Sequence, residues 1–441
     1  MNARKTLVGI LAAAIAFTAI PAQAVELHGY LRTGIGGNED GGNQVCFLTA
    51  PVGYKFRLGN ECETYAELEF GQTLYRDRSG VQFDYVGMLH YKTGGLRNAE
   101  PLNNNSGGDT AINELALRQN YIIAKNLPFM GGAAVWVGNR YYRRNDLHIL
   151  DFFYWDASGQ GAGIEDVDLA GFAKVAFAVL QNKGGWGLGY DRNDKTAVWR
   201  PDLRIYSIPF FFGGNLEVGA ELAINSGSPR GADVQKVSPM FTLQHVQPGL
   251  LGGFNKLAVQ YATGTIAPMT AYPEPQNSDK AERWRIVEQM VVQPNSLFSG
   301  MLAFVYEDVS HQYGGDGAFD SFKTWSLGAR PVYHVNDYFK LQAEVGYQSF
   351  KPKDPPTDEA KLFTASFAPT LSPAPGPGGA FFVRPELRMF VTYANWNTAE
   401  AGFLQSWNAV YYSGPNGNGP SRVFGDKKHG VTFGAQLETW F

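Results

Sequence analysis

One run of the chain is unusually dense in side chains that could do chemistry: Arg143-Arg144-Asn145-Asp146-Leu147-His148-Ile149-Leu150-Asp151-Phe152-Phe153-Tyr154-Trp155-Asp156, then Ser158-Gly159-Gln160-Gly161-Ala162-Gly163. Read as an enzyme, it offers Ser158 as nucleophile, His148 as base, and Asp146 or Asp151 to orient the base. A hydrolytic triad is defined by convergence in space, and residue type alone does not supply that. The same residues have a non-covalent use. The run breaks strand alternation and mixes charges with rings. A loop folded against a wall and lining a constriction needs that mixture, and this is the reading adopted.

Five aromatics elsewhere share one property. Tyr30, Tyr65, Phe254, Phe382 and Trp440 each lie in a short alternating run, on the face that carries its charges. Tyr30 falls with His28 and Arg32, and Tyr65 with Glu67 and Glu69. Phe254 falls with Lys256 and Gln260, and Phe382 with Arg384, Glu386 and Arg388. A single ring on a polar face is commonplace. Five in one phase, each beside charges, point to a use. Flat rings suit the apolar faces of pyranose sugars, and neighbouring Arg and Glu suit the hydroxyls. A row of weak sites, each worth about 0.5–1.5 kcal/mol by analogy with aromatic pairs, also suits passage, since each must bind and then release. The competing use is packing against in-folded loops.

The elements that must position these residues are strands. In Val431-Thr432-Phe433-Gly434-Ala435-Gln436-Leu437-Glu438-Thr439-Trp440-Phe441, odd positions are almost wholly apolar and even positions polar, apart from Trp440. A closing strand of a transmembrane barrel reads this way, as does a half-buried strand of a soluble sandwich. The runs Leu216 to Leu222 and Phe339 to Val345 repeat the rule, gathering Glu217 with Glu221, and Lys340 with Gln342 and Glu344. A closed soluble barrel needs an apolar interior. Here the inward face is charged, so the apolar faces must meet lipid around a wide, water-filled lumen. Residues 93–110, 267–279, 351–379 and 413–428, rich in Gly, Asn or Pro, read as loops.

Residues 1–24 read as a secretory leader. Arg4 and Lys5 precede an apolar stretch from Leu7 to Ile20, and Ala22-Gln23-Ala24 is a small-x-small cleavage site. Residues 25–441 are then one transmembrane β-barrel of 417 residues (441 less 24), room for sixteen or eighteen strands. The later sequence holds no run of eighteen apolar residues that would make a membrane helix. Loss of Arg4 and Lys5 takes the net charge from −4 to −6, which gives no reason to expect nucleic acid. Gly (52), Tyr (22) and Phe (30) are plentiful and only 18% of residues are charged, a composition that suits aromatic-girdled barrels. The two cysteines, Cys46 and Cys62, are expected to pair in an exported chain; free thiols are the alternative. No cofactor or metal site is expected.

Together these residues resemble the maltoporin family of sugar-specific outer-membrane porins, over essentially the whole mature chain. The resemblance is strongest in His28-Gly29-Tyr30-x-Arg32, in 54–67 with Arg57-Leu58-Gly59-Asn60-Glu61-Cys62-Glu63-Thr64-Tyr65, and in 146–163. It returns in Gly253-Phe254-Asn255-Lys256, Gln260-Tyr261-Ala262-Thr263, Arg384-Pro385 and 432–440. It implies an all-β, antiparallel barrel of eighteen strands with an inward constriction loop, assembled as a homotrimer among outer-membrane lipid and lipopolysaccharide. It implies facilitated diffusion of maltose and maltodextrins, no catalysis, and surface loops of the kind phages use as receptors. The family's helical path of aromatics matches Tyr30, Tyr65, Phe254, Phe382 and Trp440, with Phe382 in place of the usual Trp. The family's sixth ring comes from a loop of the neighbouring subunit, and no residue within 91–110 is assigned to it. The family's polar contacts map to Arg32, Arg57, Glu67, Arg118, Arg144, Asp146 and Asp151. Phe153 stands where the family's constriction usually has Tyr, and the lost hydroxyl leaves a different sugar range, sucrose among them, as the alternative. A general diffusion porin is a further alternative.

Overall fold

The computed structural model describes residues 25–49, 52–94, 114–182, 197–226, 235–271, 273, 279–312, 320–355, 358–373, 380–397 and 423–441. The expected leader, 1–24, lies outside the described residues, as does most of 91–110, where no sixth ring is assigned.

The alternating runs form strands. In order they are β1 (Glu26–Asn38), β2 (Thr64–Arg76), β3 (Gln82–Thr93), β4 (Glu114–Lys125), β5 (Ala134–Arg140), β6 (Asn145–Leu147), β7 (Phe152–Trp155), β8 (Gly159–Leu169), β9 (Ala173–Asn182) and β10 (Val198–Pro209). There follow β11 (Asn215–Asn225), β12 (Val237–Pro248), β13 (Phe254–Thr263), β14 (Glu282–Val292), β15 (Phe298–Ser310), β16 (Phe322–Asn336), β17 (Phe339–Pro352), β18 (Ala360–Leu371), β19 (Glu386–Trp396) and β20 (His429–Trp440). Eighteen of these make one antiparallel sheet, closed where β1 pairs with both β2 and β20. The short β6 and β7 pair only with each other, inside the loop between β5 and β8. Closure removes the edges that an open sheet would leave unpaired in lipid.

Strand phase decides which way each residue faces. On β19, Leu387, Met389 and Val391 are exposed on the outer surface, while Glu386, Arg388 and Thr392 alternate with them and are buried inside. The outward rows continue with Phe363 and Phe367 on β18, and with Leu257 and Val259 on β13. This apolar belt around a polar interior is what a hydrocarbon layer requires.

Three expectations need correction. The lumen is not filled by water alone: residues 39–49 and 52–63 of one loop, and 141–158 of a second, fold into it. Tyr54 and Phe56 from the first pack with Leu147, Ile149, Leu150, Tyr154 and Trp155 from the second in one buried cluster. Both loops carry their own apolar residues, and burying these offsets the cost of filling the channel. Next, Gly159 to Gly163 belong to barrel strand β8, not to the loop. A Cβ at Gly163 would come within 2.8 Å of Trp136 Nε1, so the wall there is packed too closely for a side chain. Finally, Phe382 is not on a strand. Ala380–Phe382 is a 3-10 turn and β19 starts at Glu386, because Pro385 has no N–H to give a ladder and restricts Arg384 before it.

The expected Cys46–Cys62 disulfide is present, with Cα atoms 5.9 Å apart, and it staples the first inward loop.

Candidate functional site

Barrel closure assembles the first part of the site. Tyr30 on β1 is in register with Glu67 on β2 on one side and with Trp440 on β20 on the other. Tyr65 lies opposite Arg32, and its ring centroid is 5.9 Å from that of Tyr30, edge to face. Further rings follow. Trp440 meets His148 at 5.8 Å, His148 meets Phe382 at 5.5 Å, and Phe382 lies parallel to Phe254 at 6.4 Å and 7°. The sequence runs Tyr65, Tyr30, Trp440, His148, Phe382, Phe254. Tyr65 sits where β2 leaves the long inward loop, and Phe254 opens β13 at the end carrying the short turns. The row therefore runs along the inner wall toward the end carrying the short turns, bridged by His148 of the loop, and each ring is only partly buried.

Charged groups flank this row, and the structure divides them by how fully they are engaged. Arg57 is buried. It gives its guanidinium to Glu61 (2.7 Å), Glu438 (3.0 Å) and the Tyr30 hydroxyl (2.6 Å), so it supports the ring from behind. Arg32 is also buried, bound to Asp151 (2.6 Å), Glu63 (2.5 Å) and Glu61 (3.4 Å), with its guanidinium over the Tyr65 ring at 4.8 Å. Arg118 pairs with Glu114 at 3.2 Å. Glu67 accepts hydrogen bonds from the Tyr65 and Tyr141 hydroxyls on one oxygen, at 2.7 and 2.8 Å. Arg144 lies on the rings of Tyr141 (3.5 Å) and Phe153 (4.4 Å).

The constriction segment is held by its backbone. The Asp146 carbonyl accepts from Gln289 at 2.9 Å, and Asp151 takes the left-handed conformation (φ 51°) after the 3-10 turn of His148–Leu150. Such a φ is tolerated by Asp better than by most residues. Burial raises the Asp146 carboxyl. It opposes the charge on Asp151 too, yet Arg57 and Arg32 hold that carboxyl well below the usual range.

The hydrolytic arrangement does not form. Ser158 Oγ is buried and accepts from the Tyr142 N–H at 3.1 Å. Among the described residues no side-chain hydrogen bond joins His148 to Asp146, Asp151 or Ser158; only the Asp151 backbone N–H reaches His148, at its carbonyl. Its Nε2 meets Arg384 at 3.2 Å, and burial pushes its pKa well below the ordinary value. The sequence reading missed two residues here. His148 bridges the two halves of the ring row, and a loop without a period gives no signal for that. Arg384 sits 4.3 Å over the Trp440 ring and binds Glu386 and Glu438; it precedes β19, where strand phase carries no signal.

A closed barrel with an apolar outer belt, in-folded loops and a partly exposed path along the inner wall is a membrane-spanning channel. The chain belongs to the LamB porin family, whose model matches residues 25–441, and it is accordingly a multi-pass β-barrel porin of the outer membrane. Solved structures with a similar course include OccAB1 of Acinetobacter baumannii (12% identity, 95% of this chain and 96% of that one, TM-score 0.48). A BenF-like porin of Pseudomonas fluorescens (10%, 95% and 99%, 0.48) and OprB of Pseudomonas putida (11%, 95% and 94%, 0.41) are others.

Proposed function

We propose that this porin is sugar-selective and carries maltose and maltodextrins by facilitated diffusion, with no catalytic step. The observation that carries the reading is the ring row from Tyr65 to Phe254, partly exposed in the lumen beside charged groups. A pyranose presents apolar C–H faces and a rim of hydroxyls. Sliding over successive rings keeps the faces covered, while Glu67, Arg144, Asp146 and Asp151 exchange hydrogen bonds at the rim. Arg32 and Arg57, largely buried, serve by holding Asp151 and Tyr30 in place. Weak contacts, each about 0.5–1.5 kcal/mol, permit release as well as entry. The reading includes removal of residues 1–24 on export and assembly as a homotrimer in lipid and lipopolysaccharide, its loops open to phage.

The test is ion current through the purified protein in a planar bilayer, titrated with maltose, maltohexaose and sucrose. Saturable block that tightens with maltodextrin length is expected. Block chiefly by sucrose moves the selectivity to another oligosaccharide, with Phe153 as the first residue to revert to Tyr. Steady conductance without block by any sugar refutes the sugar-selective reading and leaves a general diffusion porin.

A further inference from the structure

We infer that Tyr141, on the inward loop, is a positioning residue that sets the two polar groups of the constriction, Glu67 and Arg144, at once. The inference rests on the sugar-selective reading. Its starting point is an unusual arginine: among the described residues Arg144 makes no hydrogen bond and no ion pair. Its guanidinium lies against the Tyr141 ring at 3.5 Å and the Phe153 ring at 4.4 Å. Contact through the planar faces leaves the in-plane N–H donors free for a ligand. The hydroxyl of the same Tyr141 donates to Glu67 Oε1 at 2.8 Å, the oxygen that also accepts from Tyr65 at 2.7 Å. Glu67 Oε2 has no hydrogen-bond partner among the described residues. One oxygen is thus fixed by two phenols and the other is open to a hydroxyl.

Tyr141 is itself held firmly. Its backbone N–H donates to Gln119 Oε1 at 3.0 Å, and the other end of that buried amide donates to Glu69 at 2.6 Å. A wall residue on β4 therefore fixes a loop residue, which fixes an acceptor on β2 and a donor on the loop. The donor and acceptor edges of a sugar rim need such a pair at a set separation. The arrangement also gives Phe153 a role that needs no hydroxyl, since its face bears on Arg144.

Double-mutant cycles test this in the full-length protein, by sugar-dependent block in planar bilayers. Tyr141→Phe removes only the link to Glu67 and is expected to weaken maltohexaose binding about three- to tenfold, the range of one net hydrogen bond. Tyr141→Leu also removes the ring under Arg144 and is expected to weaken it further. Open-channel conductance and the heat-resistant oligomer are to stay unchanged, which guards against misfolding. In a Glu67→Ala background, which leaves the Tyr141 hydroxyl no acceptor there, Tyr141→Phe is to have little further effect, and in an Arg144→Ala background Tyr141→Leu is to behave like Tyr141→Phe. Full additivity in both backgrounds, or Tyr141→Phe binding sugar like the wild type, overturns the inference. If Glu67→Ala and Arg144→Ala leave sugar binding unchanged by themselves, the sugar-selective reading has failed and takes this role with it.

Discussion

Replacing Asp151 with Asn removes one charge from the constriction while leaving its backbone untouched, because Asn tolerates the left-handed conformation that position 151 adopts (φ 51°). The Asp151 carboxylate gives one oxygen to Arg32 at 2.6 Å, and its Oδ1 has no hydrogen-bond partner among the described residues. A hydrogen bond to a charged group is worth about 1.5–3 kcal/mol. The carboxyl is 37% exposed, so screening lowers this to about 1–2 kcal/mol. Arg32 keeps Glu63 and Glu61. The loop keeps Leu147, Ile149 and Leu150, all fully buried and together worth roughly 5–9 kcal/mol. The anchors exceed the loss several times over, so the loop should stay in place and only the site should change. Sugar affinity is expected to fall about 5- to 30-fold, the equivalent of 1–2 kcal/mol. Asp151→Ala should fall further, since a Cβ residue without a polar side chain costs about 1–2 kcal/mol in that conformation. Current block by maltohexaose measures both variants, with thermal stability of the folded barrel as control. Block within twofold of wild type in Asp151→Asn would refute the reasoning. Loss of the folded barrel would show that the carboxylate is needed for folding.

Two further outcomes follow from the inward loops. Cys46→Ser with Cys62→Ser releases a loop closed over a separation of 16, a constraint worth about 3 kcal/mol in the chain-entropy model. Limited proteolysis should then cut within residues 39–63 while the barrel persists, and block should weaken because Arg57 and Glu63 come from that loop; uncut protein with normal block would show the bridge to be dispensable. Asp151 and Glu63 both titrate below the usual carboxylate range: burial opposes their charge but Arg32 and other cations outweigh it. A depressed folded pKa contributes stability that is complete above the unfolded value, about 4, and is lost as pH falls toward the folded one. The stability of the inward loops, read by limited proteolysis, should therefore stay flat from pH 7 to 5 and decline below about 4, and a decline already under way at pH 6 would place control elsewhere.

The barrel was legible because a period of two is a strong constraint. A strand with one face in lipid and one in the lumen must alternate, and the slip of one residue would turn every charge outward. That is why Tyr30, Tyr65, Phe254 and Trp440 could be assigned to the inner face from phase alone. Phe382 reached the same row by a different route, a 3-10 turn beside Pro385, and the apparent alternation through residues 381–388 was coincidental. The inward folding of residues 39–49 and 52–63 left no periodic trace. Its best clue was composition: Val45, Phe47, Phe56 and Leu58 are large apolar residues in a segment between strands, and all are buried. Within 141–158 the mixture of rings and charges did announce an inward loop, but not that His148 would complete the ring row.

Phase also hides a division among the inward-facing charges. Arg200, Arg204 and Arg285 occupy the same face as Arg32, yet each points its guanidinium at a loop carbonyl. Arg204 donates to Arg143 O at 2.7 Å, Arg285 to Tyr154 O at 3.1 Å, and Arg200 to Ser158 O at 3.4 Å. All three are fully buried and paired with Asp202, Glu307 and Glu221 respectively. A loop with little regular structure leaves carbonyls without partners, and burying them unpaired would cost about 1–3 kcal/mol apiece. The wall supplies the missing donors, and its carboxylates keep those donors from being uncompensated buried charges. Wall charges therefore do two jobs that sequence alternation cannot tell apart. Those beneath the loop fix its backbone, while Glu67 and Arg118 on the wall, with Arg144 and Asp151 on the loop itself, remain partly open to what passes. The distinction is set by which carbonyls the loop brings within reach, a matter of tertiary packing.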